Sequence, residues 1–360
     1  MVINAVIGAN YGDEGKGLVA NALCRKASLQ NKKVLNVLTN GGCQRGHTAY
    51  DQNGNRHVYS HFGAGYPYAD ICFSKYYMVN PMVFMKEYTE IRNNHKIFVD
   101  GDCTLTTPYD MLVNRMVENH RSEKHGSCGY GIWETVCRNK EFPIYWKDII
   151  ENNFCEIVSL LRSLRDNYFK NVINNYQIEM TSDEKELFFS EQMIANYAED
   201  ISLMKELTEV RDFSELINSY DEIVFENAQG LLLDRDLDKW GTPSKTGMAY
   251  IKDLVKGLKV TPYYVTRSYL TKHGNGLFPG ETSLDKINNS IVDKTNHPND
   301  YQGTLRYGLF DQVLANQLLD RIKADAEGYD YKIVVTHQNE FQCEYLTFAD
   351  YYSYNETDFQ

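Results

Sequence analysis

The sequence predicts an α/β protein with a mainly parallel central sheet, a P-loop-like glycine-rich first turn and a helical insertion. Three observations predict it. The chain opens as strand, glycine-rich turn, helix and strand, and short apolar runs then recur with helical stretches between them. Strands separated by helices are the pattern of a parallel sheet. Finally, 360 residues with 42% hydrophobic and 24% charged content supply a substantial core and exclude wholesale disorder.

The elements follow in order. Residues 2–7 are a short apolar run, residues 8–17 hold four glycines, and residues 18–29 carry apolar side chains at helical spacing. Residues 33–39 (KVLNVLT) form a second strand and close a βαβ unit, and a second glycine-rich loop, 41–48, follows directly. Residues 81–91 read as helix and 96–99 as strand. Residues 145–210 are polar, long and weakly helical, without glycine or proline. They predict a helical insertion against the sheet with nothing catalytic in it. The strand pattern returns at 222–225, 260–266 and 331–336. No repeat or low-complexity linker divides the chain, so residues 1–360 read as one domain. The tail 345–360, rich in Tyr and Asp, carries no assignment.

Lys+Arg 37 against Asp+Glu 49 gives a net charge of −12, the wrong sign for a protein that wraps duplex nucleic acid or coats an anionic membrane. No nucleic-acid or membrane partner is expected. No basic segment precedes the first apolar stretch and no apolar run approaches membrane-spanning length, which predicts a soluble, cytoplasmic protein. The eight cysteines show no C-x-x-C pair or metal-finger spacing and read as reduced, mostly buried thiols.

A glycine-rich turn that leaves a strand and opens a helix is an anion site, because free N–H groups converge there and the helix N-terminus favours negative charge. Gly12-Asp13-Glu14-Gly15-Lys16-Gly17 supplies such a turn, with Lys16 as the point charge for a phosphate. It is not the standard P-loop. Asn10 stands where that pattern needs its first glycine, and Gly17 where it needs the Mg²⁺-holding hydroxyl. Asp13 and Glu14, two carboxylates among phosphate-facing amides, point to a metal ligand or a proton acceptor; a tight turn with a solvated charge pair is the plain alternative. The second loop, Asn40-Gly41-Gly42-Cys43-Gln44-Arg45-Gly46-His47-Thr48, should lie beside the first at the carboxyl edge of the sheet. There His47 becomes a candidate general acid or electrostatic stabiliser.

Together these loops resemble the adenylosuccinate synthetase family, and further segments follow in the family's order. They are His61-Phe62-Gly63-Ala64-Gly65, Asn80-Pro81, the Gly126-Ser127-Cys128-Gly129-Tyr130-Gly131-Ile132 loop, Phe225-Glu226-Asn227-Ala228-Gln229-Gly230 and Thr242-Pro243-Ser244. Tyr264–Arg267 with Gly276-Leu277-Phe278-Pro279-Gly280-Glu281 is similar to the family's Y-x-T-R-x-G-x-G-P-F-P-x-E. The resemblance implies a ligase. A nucleoside triphosphate phosphorylates the 6-oxygen of a purine monophosphate, and the amine of L-aspartate displaces the phosphate. It implies that Asp13 takes the N1 proton and ligates Mg²⁺, that the Gly46 carbonyl is a second Mg²⁺ ligand, and that His47 stabilises charge on the 6-oxygen and transferring phosphoryl group. Gly12, Gly15, Lys16, Gly17, Gly46 and Thr48 would hold the triphosphate. Gln44, Ser127, Cys128, Gln229 and Thr242 would contact the purine nucleotide. Arg138, near the family's subunit-crossing arginine, would do so from a homodimer partner.

Three departures qualify the resemblance. The chain is short for the family, with residues missing after Ile132 and near the C-terminus. The arginine-rich aspartate loop is reduced to Gln302-Gly303-Thr304-Leu305-Arg306-Tyr307-Gly308, so Arg306, a planar fork suited to a carboxylate, is expected to bind aspartate with Thr304. The guanine-reading Thr-Lys-x-Asp is here Thr336-His337-Gln338-Asn339. Asn339 cannot accept from both N1–H and the 2-amino group, so ATP is expected over GTP. A phage branch that joins aspartate to dGMP has similar N-G-G-x-x-x-G-H-T and N-P segments, but it replaces the catalytic Asp with a small residue. Retained Asp13 favours IMP, with dGMP and ATP as the alternative and the host cytoplasm as the location if the chain is phage-encoded. A P-loop-like kinase or GTPase switch is opposed by Gly17, the missing guanine reader and the His47 loop. An inert nucleotide-binding regulator is opposed by the joint presence of Asp13, Lys16 and His47.

Overall fold

The computed structural model describes all residues except 92, 238–239, 294 and 297–302. Nine strands form one sheet: β1 (Val2–Gly8), β2 (Val34–Leu38), β3 (Asp70–Phe73), β4 (Ile97–Val99), β5 (Glu209–Val210), β6 (Glu222–Gly230), β7 (Thr261–Arg267), β8 (Lys332–Thr336) and β9 (Tyr351–Tyr352). Their spatial order is β9-β8-β7-β1-β6-β2-β3-β4-β5, and every neighbouring pair is parallel. Alternate side chains enter separate cores. Val6 and Leu38 pack on one face with Val19, Leu23 and the helices of the 145–207 stretch, whereas Ala5, Ile7, Leu35 and Val37 pack on the other with Met248, Ile251, Leu318 and Ile322. Burial on both faces explains why these strands read as continuous apolar runs.

The 145–207 stretch is helical because it is capped as well as amphipathic. Asn153 and Glu156 form a capping box on Phe154–Leu164, Thr181 and Glu184 another on Ser182–Phe188, and Ser190 caps Glu191–Leu207. The stretch does not end in helix. Glu209–Val210 pairs with β4 as an edge strand, and Tyr351–Tyr352 of the tail closes the opposite edge beside β8. Two residues are too few to show a period. Strand β6 also runs five residues past its apolar segment, through Glu226, Asn227 and Gln229, whose polar side chains read as loop.

Because the sheet is parallel, the loops after β1, β2, β6, β7 and β8 emerge at one carboxyl edge. Gly230 is held to glycine at this edge, since a Cβ there would lie 2.2 Å from the Asn10 carbonyl oxygen and 2.4 Å from Glu14 Oε1.

Candidate active site

Glu14 is buried and builds the first loop. Its Oε1 accepts the N–H of Asn10 at 3.1 Å and of Gly12 at 2.8 Å, and its Oε2 pairs with Lys16 Nζ at 2.6 Å. Asp13, at φ 58°, lines both recesses at the carboxyl edge, whereas Glu14 borders only the smaller one. Helix α1 (Lys16–Leu29) starts here without a side-chain cap or an acidic first turn, which leaves its N-terminus suited to an anion. The missing P-loop hydroxyl has a steric cause. A Cβ at Gly17 would lie 2.7 Å from the Thr48 carbonyl oxygen and 2.9 Å from His47 Cβ, because the second loop packs directly on this turn.

That packing sets His47 against Glu226, with Nδ1 and Oε1 2.5 Å apart. Burial favours the neutral acid at Glu226, but the hydrogen bond and charge of His47, the Arg45 charge and the Ala64 N–H outweigh it and hold the carboxyl below its ordinary range. Burial also lowers the pKa of His47, assisted by Lys16 and Arg45 and opposed by Glu226. The resting pair is therefore a carboxylate accepting Nδ1–H from a neutral ring, with Nε2 left for a ligand.

Two recesses open at this edge. The smaller contains Gly15, Lys16, Gly17, Gly46, Thr48 and Asn339. The larger, about 510 Å³, contains Gln44, Ser127, Cys128, Gln229 and Thr242; that volume is typical of a small-molecule site. Asp13, Lys16, Gly46 and His47 line both. Gly12, expected with the triphosphate group, opens instead onto the larger cavity beside Gln229. Within the cavity the Gln44 Nε2 is buried without a partner, while its Oε1 accepts the Gly42 N–H at 2.8 Å. Ser127 Oγ donates to Asn114 at 2.7 Å and Thr242 Oγ1 to the Leu233 carbonyl at 2.9 Å, so both hold their loops as well as lining the cavity. Burial pushes the Cys128 thiol up to about 11, and it stays protonated at neutral pH.

Three expected residues lie elsewhere. Arg138 is fully buried. It pairs with Asp110 (Nε–Oδ1 3.2 Å) and donates to the carbonyls of Leu105 and Phe142, which leaves no face for a ligand or a partner subunit. Arg306 forms a two-pronged pair with Glu281 at 2.7 and 2.6 Å and donates to the carbonyls of Gly274 and Gly276, so its fork is already occupied. Thr304 is exposed and lines neither recess, and Gln302 lies outside the described residues.

Other residues join the site without having been singled out. Arg56 enters the smaller recess from the hairpin strand Arg56–Tyr59 and donates to Thr295 at 2.6 Å and Thr48 at 3.3 Å. The Asp13 carboxylate receives His273 Nε2 at 2.8 Å, and Arg267 donates to the Asp13 carbonyl. Burial opposes ionisation of Asp13, but the hydrogen bond and charge of His273 and the charges of Arg267 and Lys16 outweigh it and hold the carboxyl well below the usual range. Glu226 stood in a recognisable motif. For Arg56 and His273 the only signal was residue type.

Comparison with known proteins places this architecture. The model of the adenylosuccinate synthetase family matches residues 5–325, and the chain belongs to that family. Adenylosuccinate synthetases of Francisella philomiragia and of Francisella tularensis subsp. novicida are each 27% identical over 299 residues, covering 77% of this chain and 64% of theirs. The chain thus spans under two thirds of the length of these curated relatives. Among solved structures, the fully ligated adenylosuccinate synthetase of Plasmodium falciparum aligns with a TM-score of 0.71 at 18% identity, over 94% of this chain and 77% of that one. The succinoaminodeoxyadenylate synthetase of cyanophage S-2L, bound to dGMP and dATP, aligns with a TM-score of 0.65 at 14% identity, over 100% of this chain and 95% of that one. Both alignments show the shared fold. No helix among the described residues is long and apolar enough to cross a membrane.

Proposed function

We propose that the chain is a nucleoside-triphosphate-dependent ligase joining L-aspartate to carbon 6 of a 6-oxopurine monophosphate, with IMP as the preferred acceptor. The carrying observation is the shared wall. A triphosphate in the smaller recess and a purine monophosphate in the larger would meet at Asp13, Lys16, Gly46 and His47.

The chemistry follows from these groups. Asp13, held ionised, takes the purine N1 proton, and charge moves to the 6-oxygen, which attacks the terminal phosphoryl group, breaks its bond to the bridging oxygen and releases nucleoside diphosphate. Lys16, the α1 N-terminus and Arg56 hold the triphosphate in line. His47 stabilises the developing charge through Nε2. The resting neutral ring must first gain a proton on Nε2, and the negative charge of the bound triphosphate favours its uptake from solvent. The Glu226 carboxylate at Nδ1 stabilises the resulting imidazolium, a positioned donor of a kind that contributes about 10²–10³ in rate. The aspartate amine then displaces phosphate from carbon 6. Arg306 is engaged by Glu281 and Arg138 by Asp110, and Thr304 borders neither recess, so none of these three residues is a substrate contact in this reading. Asn339, at the exposed rim of the smaller recess, supports ATP as donor.

The donor set fits Mg²⁺. The Asp13 carboxylate is kept ionised, the Gly46 carbonyl borders the same recesses, and a hard cation needs only one or two protein oxygens beside phosphate. When bound there, Mg²⁺ would neutralise charge on the transferring phosphoryl group.

A second reading, dGMP as acceptor, draws on the alignment over the whole chain with the cyanophage fold. The test is a matrix of IMP, dIMP, GMP and dGMP with ATP or GTP and L-aspartate, followed by chromatography of succinylated product. IMP or dIMP should be consumed first, and Asp13→Ser should lose IMP activity. Preferential consumption of dGMP would move the chain to the second reading, and phosphate release without aspartate incorporation would refute the ligase.

A further inference from the structure

The pattern Y-x-T-R-x-G-x-G-P-F-P-x-E also fits residues 269–281 without a gap, with Lys272 in place of its arginine, Leu277 in place of its first proline and His273 at the unspecified position before the first glycine. The structure brings that unspecified position to the site. Leu270–Lys272 pairs antiparallel with Arg306–Gly308, and this delivers His273 to Asp13. Arg306 pins the far side of the same turn, through the carbonyls of Gly274 and Gly276 and the Glu281 carboxylate.

The hydrogen bonds around His273 settle where its proton lies. Nε2 faces two acceptors, Asp13 Oδ2 at 2.8 Å and Asn296 Oδ1 at 3.1 Å. Asn296 is oriented by its own amide, which donates to Asp293 Oδ2 at 2.9 Å, so its oxygen must point to the ring. With an acceptor on each side, Nε2 carries hydrogen. One oxygen of Asp13 is thereby tied to the protein, and Oδ1 is the atom left for a substrate.

We propose that His273, carried by the turn that follows Leu270–Lys272, is a positioning residue for Asp13. It fixes the carboxylate so that Oδ1 faces the purine N1–H, and Arg306 serves the same site by anchoring the turn that carries the histidine. The inference rests on the ligase reading and deepens it. A carboxylate free to rotate spends much of its time in unproductive poses, and a ring N–H at 2.8 Å removes that freedom before substrate arrives.

The experiment compares His273→Leu, which keeps bulk and removes the donor, with His273→Gln, whose terminal amide can reach Asp13 as Nε2 does. Full-length enzyme is assayed for succinylated product with IMP or dGMP, L-aspartate and ATP. Loss of an outer-shell partner commonly costs about 10–100-fold. His273→Leu should lower kcat by about that factor with little change in the KM for ATP, and His273→Gln should restore most of it. Should the Leu variant fail to fold, His273→Asn, polar but too short to reach Asp13, takes its place with the same expected loss. Wild-type kcat in the Leu or Asn variant, or equal losses in Gln and Leu, would overturn the proposal while leaving the ligase reading intact. Absence of any succinylated product from the wild-type enzyme would overturn both.

Discussion

Replacing Gly17 by Ala separates a local rule from a tertiary one. Gly17 is the second residue of α1, where alanine ordinarily gains up to about 1 kcal/mol over glycine. In this protein the added Cβ would lie 2.7 Å from the Thr48 carbonyl oxygen and 2.9 Å from His47 Cβ, whereas ordinary contact begins at 3.4 Å. The second loop must therefore retreat by roughly 0.7 Å, and overpacking of this kind typically costs about 1–3 kcal/mol. The clash outweighs the propensity gain, for a net destabilisation of about 1 kcal/mol. The larger effect falls on catalysis, because the displaced backbone carries His47 and a misplacement of about 1 Å can cost about 10²-fold. Gly17→Ala should lower kcat by about 10- to 100-fold while the melting temperature falls by only about 2–4 °C. Gly17→Ser, although it restores the P-loop hydroxyl, should do no better. Steady-state kinetics and calorimetric melting decide it. A Gly17→Ala enzyme with normal kcat and a raised melting temperature would show that the loop packing does not constrain this position.

Asp13→Ala and His47→Ala should each reduce product formation by about 10²–10⁴ with far-ultraviolet circular dichroism unchanged; near-normal turnover in either would remove that residue from the mechanism. ATP should support turnover at least as well as GTP, and a strong GTP preference in competition kinetics would mean that a residue other than Asn339 reads the base. Glu134 lines the larger cavity with Oε2 unpartnered, and burial raises its carboxyl from 4.5 to about 7. The folded state holds this proton more tightly than the unfolded chain does, so the stability from Glu134 is present below pH 4.5 and is lost as pH rises through 7. Glu134→Gln should thus stabilise the apoprotein by up to about 3 kcal/mol at pH 8 and much less at pH 5, and equal effects at the two pH values in urea unfolding would refute that ionisation.

The sequence by itself determined the elements whose information is local. The β1 turn and α1 were legible because strand alternation, four glycines and helical spacing lie within thirty residues, and glycine at positions such as 15 and 17 reports backbone crowding directly. Asp13, Lys16 and His47 were legible as candidates because a parallel sheet brings successive loops to one edge, and a βαβ opening is enough to predict that. Ordered motifs extended the reading to Gln44, Gln229 and Thr242. Only the tertiary structure decided which charges are available to ligands. Arg138 and Arg306 have the chemistry of carboxylate or phosphate binders, but Asp110 and Glu281, 28 and 25 residues away in sequence, occupy their guanidinium groups. Glu14 and Asp13 are adjacent and chemically alike, yet one is buried against Lys16 and the other meets His273 from 260 residues away. The tail gave no periodic signal because its strand contributes two residues, although it completes one edge of the sheet and brings Asn355 and Glu356 to the smaller recess. A side chain's type is written in the sequence, but its remaining hydrogen-bonding capacity depends on partners that the fold brings to it from far along the chain.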